Sequence, residues 1–179
     1  MELNGKEKQE LLELARNTIA QALGEEAHAP QEYSPALTGK GGAFVTLHKK
    51  GQLRGCIGSF PGNYSLLDIV GQMAKAAAFN DPRFMPLRPE ELAEIDLEIS
   101  VLSPLEKSEP EKIEVGRHGI YIISPRGRGV LLPQVALEQG WDRLTFLQQT
   151  CRKAGLKKDA WQDSDVEIYL FTAQVFGEE

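Results

Sequence analysis

Cysteine, histidine and aromatic residues are scarce in this chain, and each scarcity excludes a class of protein. Only two cysteines, Cys56 and Cys151, occur in 179 residues. That is too few for a disulfide-stapled scaffold, and both are expected as reduced thiols. The three histidines, His28, His48 and His118, are widely separated. Combining His48, Cys56, His118 and Cys151 gives none of the ligand spacings of a zinc site, so no metal is expected. No apolar run approaches bilayer-spanning length, and Met1 to Glu10 is rich in Glu, Lys and Gln where a secretory leader would be apolar. A soluble, cytoplasmic protein with no membrane partner is the expectation. Basic residues are also in deficit, 20 against 26 acidic ones for a net charge of −6, which argues against a phosphate-tracking surface and so against nucleic acid. No cofactor motif is present. Arg126-Gly127-Arg128-Gly129 has neither the length nor the lysine of a phosphate-binding loop and reads as a hairpin tip.

What the chain does have is 41% hydrophobic residues, enough for one substantial core or two small lobes. Leu11, Leu14, Ala15, Ile19, Ala22 and Leu23 recur at helical spacing from about Asn4, and Gly24 supplies a stop. Glu25 to Gly42 is a loop with Pro30, Pro35 and Gly39, and it contains His28, which is expected to face solvent. A second helix is expected from Ser65 to Phe79, with Ser65 and Asp68 at capping-box spacing. The strict alternation of Ile95 to Val101 marks a half-buried strand. Further strands are expected at Lys112 to Val115, Gly119 to Ile123 and Gly129 to Leu132. A third helix begins at an Asp142 cap, with Leu144, Leu147, Cys151 and Ala154 as its apolar stripe, and Val166 to Phe176 reads as one long central strand. Strands and helices interleave without a regular βαβ rhythm, which predicts a mainly antiparallel α+β fold with flanking helices.

Between them lies a hairpin, Ala43 to His48 and Gln52 to Gly58 around Lys49-Lys50-Gly51. A two-residue loop at Lys50-Gly51 would mix Val45 and Leu47 with Arg54 and Cys56 on one face. A three-residue loop instead pairs Leu47 with Leu53 and Val45 with Gly55. Ala43, Val45, Leu47, Leu53 and Ile57 then form an apolar face, while Phe44, Thr46, His48, Gln52, Arg54 and Cys56 share the other.

The stretch Leu53-Arg54-Gly55-Cys56-Ile57-Gly58 resembles the hallmark of the family named after the AMME syndrome chromosomal-region candidate protein, whose prokaryotic members are called AmmeMemoRadiSam system protein A. Phe79-Asn80-Asp81-Pro82-Arg83-Phe84, Glu98-Ile99-Ser100-Val101-Leu102, His118-Gly119-Ile120 and Leu132-Pro133-Gln134-Val135-Ala136 are similar to the family's other stretches. So are Gly42 to Leu47 and Lys153 to Leu156. The resemblance implies a duplicated arrangement around one antiparallel, barrel-like sheet, a single domain divided into a larger and a smaller lobe with a cleft between them. It also implies association with a Memo-type protein and a radical SAM protein. It does not name a reaction.

Several residues are candidates for chemistry. Cys56 shares a strand face with Arg54, roughly 7 Å along the strand, where a guanidinium favours the thiolate; equally, Cys56 fits a small buried apolar position. Arg54 needs an anionic partner, either Asp81, Glu98 or a bound anion. Gly55 and Gly58 permit close approach of a ligand or of another backbone. His48 lies too far along the strand to reach the thiol, so His118, between turn glycines and within a family stretch, is the candidate base. Asp81 and Arg83, in the family's Asp-Pro-Arg-Phe stretch, are expected to line the cleft. Cys151 belongs to a helical core stripe. Two readings follow: a binding module holding a small anionic ligand or a peptide at Arg54, Gly55, Gly58, Asp81, Arg83 and Glu98, or an enzyme with Cys56 as nucleophile or redox thiol, Arg54 stabilising charge, and His118 or Glu98 moving protons.

Overall fold

The computed structural model describes residues 2–27 and 32–178, so the expected solvent-facing loop position of His28 lies outside the described residues. The chain divides into two compact units, Met1–Leu102 with Gln174–Glu179, and Ser103–Ala173. Among the described residues no helix is long and apolar enough to cross a membrane.

In the first unit, α1 (Gly5–Ala22) and α2 (Leu66–Phe79) both open with a capping box, Asn4 with Glu7 and Ser65 with Asp68. Each box satisfies backbone N–H groups that the first helical turn leaves without partners. Strands β1 (Gly42–Lys49), β2 (Gln52–Ser59), β3 (Ile95–Leu102) and β8 (Ala173–Gly177) form one sheet in the order β2-β1-β3-β8. Alternate residues Val45, Leu47, Leu97 and Ile99 point to the helices and are fully or almost fully buried with Leu11, Ala15, Ile19, Ile69, Val70 and Ala74. Burial of each such Leu, Ile or Val side chain stabilises the unit by about 1.5–3 kcal/mol.

The second unit repeats the connectivity of the first. Strands β4 (Glu106–Lys107), β5 (Gly119–Ser124), β6 (Gly127–Leu131) and β7 (Glu167–Phe171) lie in the order β4-β7-β5-β6. Helices α3 (Pro133–Gln139) and α4 (Arg143–Lys153) fall between β6 and β7. In each unit a hairpin, a helical segment and a return strand follow one another, and the return strand pairs with the first strand of the hairpin. The α+β class and antiparallel pairing agree with expectation. The described strands make two separate four-stranded sheets rather than one barrel-like sheet.

Three further expectations need correction, and one helix was not expected. Val166 to Phe176 is not one central strand. It breaks at Thr172, whose N–H donates to Ser103 Oγ and whose carbonyl accepts the Ser103 N–H, each at 2.9 Å, and β7 and β8 join different sheets. Lys112 to Val115 is not a strand, because Pro110 starts a 3-10 turn over Pro110–Lys112. Leu144 is off the buried stripe of α4 and 51% exposed, Phe146 taking the core position. Helix α3 carries no side-chain cap bond to advertise it and starts at a proline, whose missing N–H is harmless in the first turn.

The hairpin reaches the expected faces by an unexpected route. Its turn is the two-residue loop, with Lys50 (φ 53°) and Gly51 (φ 76°) both left-handed as a type I′ turn requires. The register then shifts between Leu47 and His48: His48 pairs with Leu53, Leu47 with Gly55, Thr46 with Cys56 and Val45 with Ile57, which leaves Arg54 as the extra residue of a β-bulge. Leu53, expected in the core, is 42% exposed as a result.

At Gly55 the sheet meets α2 so closely that a Cβ would sit 2.1 Å from the Ala77 carbonyl oxygen, a contact only backbone movement relieves. Gly71 of α2 has open space, its nearest neighbour being Thr18 Oγ1 at 3.8 Å. Gly55→Ala is therefore expected to destabilise the protein by about 1–3 kcal/mol, and Gly71→Ala to stabilise it by about 0.4–1 kcal/mol. Urea unfolding followed by circular dichroism measures both. A wild-type midpoint for Gly55→Ala would contradict the close approach.

Candidate functional site

The candidate site is built on β2, the edge strand of the first sheet. Thr46 and Cys56 face each other across β1 and β2, and Thr46 Oγ1 donates to Cys56 Sγ at 3.2 Å. The backbone of Cys56 turns outward from the pair, and the segment after α2 receives it. Asp81 Oδ2 accepts the Cys56 N–H at 2.9 Å, and Arg83 Nη2 donates to the Cys56 carbonyl oxygen at 3.3 Å. Arg83 also donates from its backbone N–H and from Nε to Asp81 Oδ1, both at 3.0 Å, and from Nη2 to Oδ2 at 2.7 Å. Asp81 is buried, and the Arg83 guanidinium, followed by the backbone N–H groups of Cys56 and Arg83, holds its carboxyl well below the usual carboxylate range. Asp-Pro-Arg thus works as a clasp that covers the open edge of the sheet at one residue.

Arg54 is tied by a second clasp, and its partner is Glu91 rather than Asp81 or Glu98. Arg54 Nε donates to Glu91 Oε1 at 3.1 Å and Nη2 to Oε2 at 3.0 Å, a two-pronged pairing suited to the planar guanidinium. Glu91 also accepts from Lys49 Nζ at 3.0 Å and from the Arg88 backbone N–H at 3.0 Å. It is almost fully buried, and the Arg54 guanidinium, then the Arg88 N–H and Lys49, hold its carboxyl at about 2. Sequence reasoning missed Glu91. The available signal was its position three residues after Arg88, ahead of Pro89, where a glutamate reaches back to the residue that opens a helical turn.

Beside this pair lies a groove of about 540 Å³, lined by Arg54, Phe84, Met85, Pro86, Arg88 and Glu91. The Phe84 ring lies under two guanidinium groups, Arg54 at 6.0 Å and Arg83 at 5.5 Å from its centroid. Arg54 Nη1 is buried and has no hydrogen-bond partner among the described residues. Met85 and Arg88 are exposed at the rim.

The other candidates fall in different surroundings. Gly55 is occupied by the α2 backbone and Gly58 lies under the Phe44 ring, where a Cβ would come within 2.2 Å. Glu98 is half-buried on β3 opposite Thr46, so that Glu98, Thr46 and Cys56 form one row across three strands. The Glu98 side chain has no hydrogen bond or ion pair among the described residues. His118 belongs to the second unit, where its Nδ1 accepts the Glu114 N–H at 3.1 Å and closes the turn before β5. Cys151 is fully buried in the second core, and burial pushes its thiol up. Among the described residues no group of three or more His, Cys, Asp and Glu is arranged to hold a metal ion.

Comparison with known proteins places this geometry in a family. A family model described as AMMECR1 matches residues 12–176. A protein of Thermococcus gammatolerans is 44% identical over 182 residues, covering 94% of this chain and 89% of that one. A protein of Methanothermobacter thermautotrophicus is 42% identical over 186 residues, covering 99% and 97%. The crystal structure of the uncharacterized protein PH0010 from Pyrococcus horikoshii superposes with a TM-score of 0.87 at 43% identity, covering 94% of this chain and 90% of that one.

The clasps make stability pH-dependent with a definite sign. Glu91 titrates near 2 when folded against an ordinary 4.5, and Asp81 is depressed in the same sense. Their contribution is present above the ordinary carboxylate range and is lost as pH falls from about 5 toward 2. Acid titration of urea stability is expected to show this loss in the wild type. Glu91→Gln should be less stable at neutral pH and should respond less steeply to acid, and equal slopes would count against the assignment.

Proposed function

The chain belongs to the AMMECR1 family, and from that premise we propose that it is a cytoplasmic, non-catalytic binding module whose groove at Arg54 holds a small anionic ligand or an anionic group of a peptide. The observation that carries this reading is Arg54 Nη1, a buried donor without an acceptor among the described residues, beside two donors committed to Glu91. A buried donor left unsatisfied costs about 1–3 kcal/mol, and a carboxylate or phosphate oxygen is the acceptor a guanidinium takes best. In a chain of net charge −6, the groove lining has two guanidinium groups, Arg54 and Arg88, and one carboxylate, Glu91, with Arg88 also paired at 3.3 Å to the exposed Glu90 outside the lining. Phe84, Met85 and Pro86 offer an apolar wall for the ligand's carbon skeleton. The proposal extends to Memo-type and radical SAM proteins as the partners that present or receive the anionic group.

Calorimetric titration with inorganic phosphate and with succinate tests the groove. Arg88 is exposed, so Arg88→Ala should fold normally and weaken binding by about tenfold or more. Arg54→Lys keeps a charge for Glu91 but loses the fork, and is expected to bind neither anion. If neither anion binds the wild type, or both variants bind as it does, the reading is wrong. Capture of purified Memo-type and radical SAM proteins should fall in the same Arg88→Ala variant.

A second reading has one specific observation behind it, the Thr46 hydroxyl 3.2 Å from the Cys56 sulfur with half-buried Glu98 next in the row. In that reading Cys56 is a nucleophile or redox thiol. Iodoacetamide labelling across pH, quantified at the Cys56 peptide by mass spectrometry, is expected to show a half-point well below the roughly 8.5 of an unperturbed thiol if this holds. A half-point at that value would remove it.

A further inference from the structure

The second unit carries a groove that the anion-binding reading does not use. It has a volume of about 420 Å³ and lies at the N-terminal end of α4, against the 3-10 turn that begins at Pro110. Pro110, Leu144, Leu147 and Trp161 give it apolar walls. Leu144 is 51% exposed there, although it lies on a helix whose other large apolar residues, Phe146 and Leu147, are buried. The Trp161 Nε1–H is buried and has no acceptor among the described residues.

The rim is acidic. Glu111 and Asp142 stand against Arg143 alone. Asp142 caps α4 by accepting the Thr145 N–H at 2.7 Å, and the Thr145 side chain, followed by this N–H, lowers its carboxyl below the ordinary range. Glu111 is exposed and has no ion-pair partner among the described residues.

We infer that this groove docks an extended segment of a partner protein that carries an apolar side chain beside a lysine or arginine. The apolar side chain buries against Leu144, Leu147 and Trp161, a carbonyl of the segment accepts the indole N–H, and the cation faces Glu111 and Asp142. Charge decides between occupants. An anionic segment meets two carboxylates, and a second copy of this chain, with its net charge of −6, approaches an acidic rim against repulsion.

Selection of a random-sequence phage-displayed peptide library on the full chain tests the inference, followed by titration of the enriched peptides into ¹⁵N-labelled protein. The chain has two tryptophans, Trp141 and Trp161, so the indole resonance lost in Trp161→Phe identifies the reporter. Enriched peptides are expected to pair an apolar residue with Lys or Arg and to shift the Trp161 resonance. Leu144→Glu, at an exposed position and checked for a wild-type melting curve, and Glu111→Lys should each weaken binding by about tenfold. Arg88→Ala, in the first-unit groove, should leave it unchanged. Failure to enrich any peptide, enrichment of acidic peptides, or unaltered binding by Leu144→Glu overturns the inference. So does a dimer on gel filtration that Leu144→Glu dissociates, because the occupant is then a second copy.

Discussion

Two carboxylates on one irregular segment, Asp81 and Glu91, hold that segment to two residues of β2, and the groove depends on this double attachment. Between α2 and β3 the chain has only a short 3-10 turn, Pro89–Glu94, to order it. Asp81 binds the Cys56 N–H at one end, Glu91 binds the Arg54 guanidinium at the other, and Phe84, Met85 and Pro86 hang between them. A buried ion pair of the Arg54 and Glu91 kind adds little net stability over an apolar pair of the same size, because both charges leave water. Removing one member is severe, about 3–5 kcal/mol, because the other remains buried and charged. What the pair supplies is position. Arg54 has one place to be, and the segment has one course past it.

The bulge makes this attachment possible. In an unbroken hairpin with a type I′ turn, Arg54 and Cys56 would share the face of Val45 and Leu47, burying a guanidinium among aliphatic side chains. The extra residue restores Cys56 to the Thr46 face and returns Gly55 to the helix-facing side, where no side chain fits. Arg54 itself is released from the ladder and can turn to Glu91. Bulges serve to re-aim one side chain in just this way. The hexapeptide therefore combines three demands in consecutive residues: a released arginine, a glycine beneath a helix, and a cysteine whose backbone is free for the Asp81 clasp.

Much of this was legible in the residues. The helical spacing from Asn4, the capping box at Ser65, the Asp142 cap, and the alternation of Ile95 to Val101 are local signals, and local signals survive into the fold. The facing of Val45, Thr46, Cys56 and Ile57 was also recoverable, because a charged residue in an apolar face is improbable whatever the turn. The mechanism was not recoverable, since a bulge leaves no periodic trace. Glu91 escaped for a related reason: its contact with Arg54 spans 37 positions and ends in a segment without periodicity. Val166 to Phe176 misled because two short strands of different sheets, joined at Thr172, add up to a stretch that is apolar on both faces. Leu144 misled because helical spacing identifies a stripe but not its edge.

The two units together provide an internal control on which features belong to the fold and which to the site. Both set the first hairpin strand between the second hairpin strand and the return strand, and both bring a glycine of the second hairpin strand against backbone of a helix or its end, Gly55 at Ala77 and Gly129 at Ala154. In the second unit, however, β5 and β6 pair without interruption from Ile120 with Leu131 to Ser124 with Gly127. Arg128, directly before that glycine as Arg54 is before Gly55, sits in the regular ladder opposite Ile123 and is exposed. It has no buried carboxylate partner among the described residues, and Val130, not a cysteine, follows the glycine. The unit's tethered arginine is Arg126 in the hairpin turn, held by the exposed Asp163 and Asp165, so the arrangement of hairpin, helix and return strand stands without a bulge, an arginine tethered to a buried carboxylate, or a clasp on a cysteine backbone. Where the first unit keeps all three, at the expense of burying Asp81 and Glu91 in the charged state, the demands of the fold do not account for them.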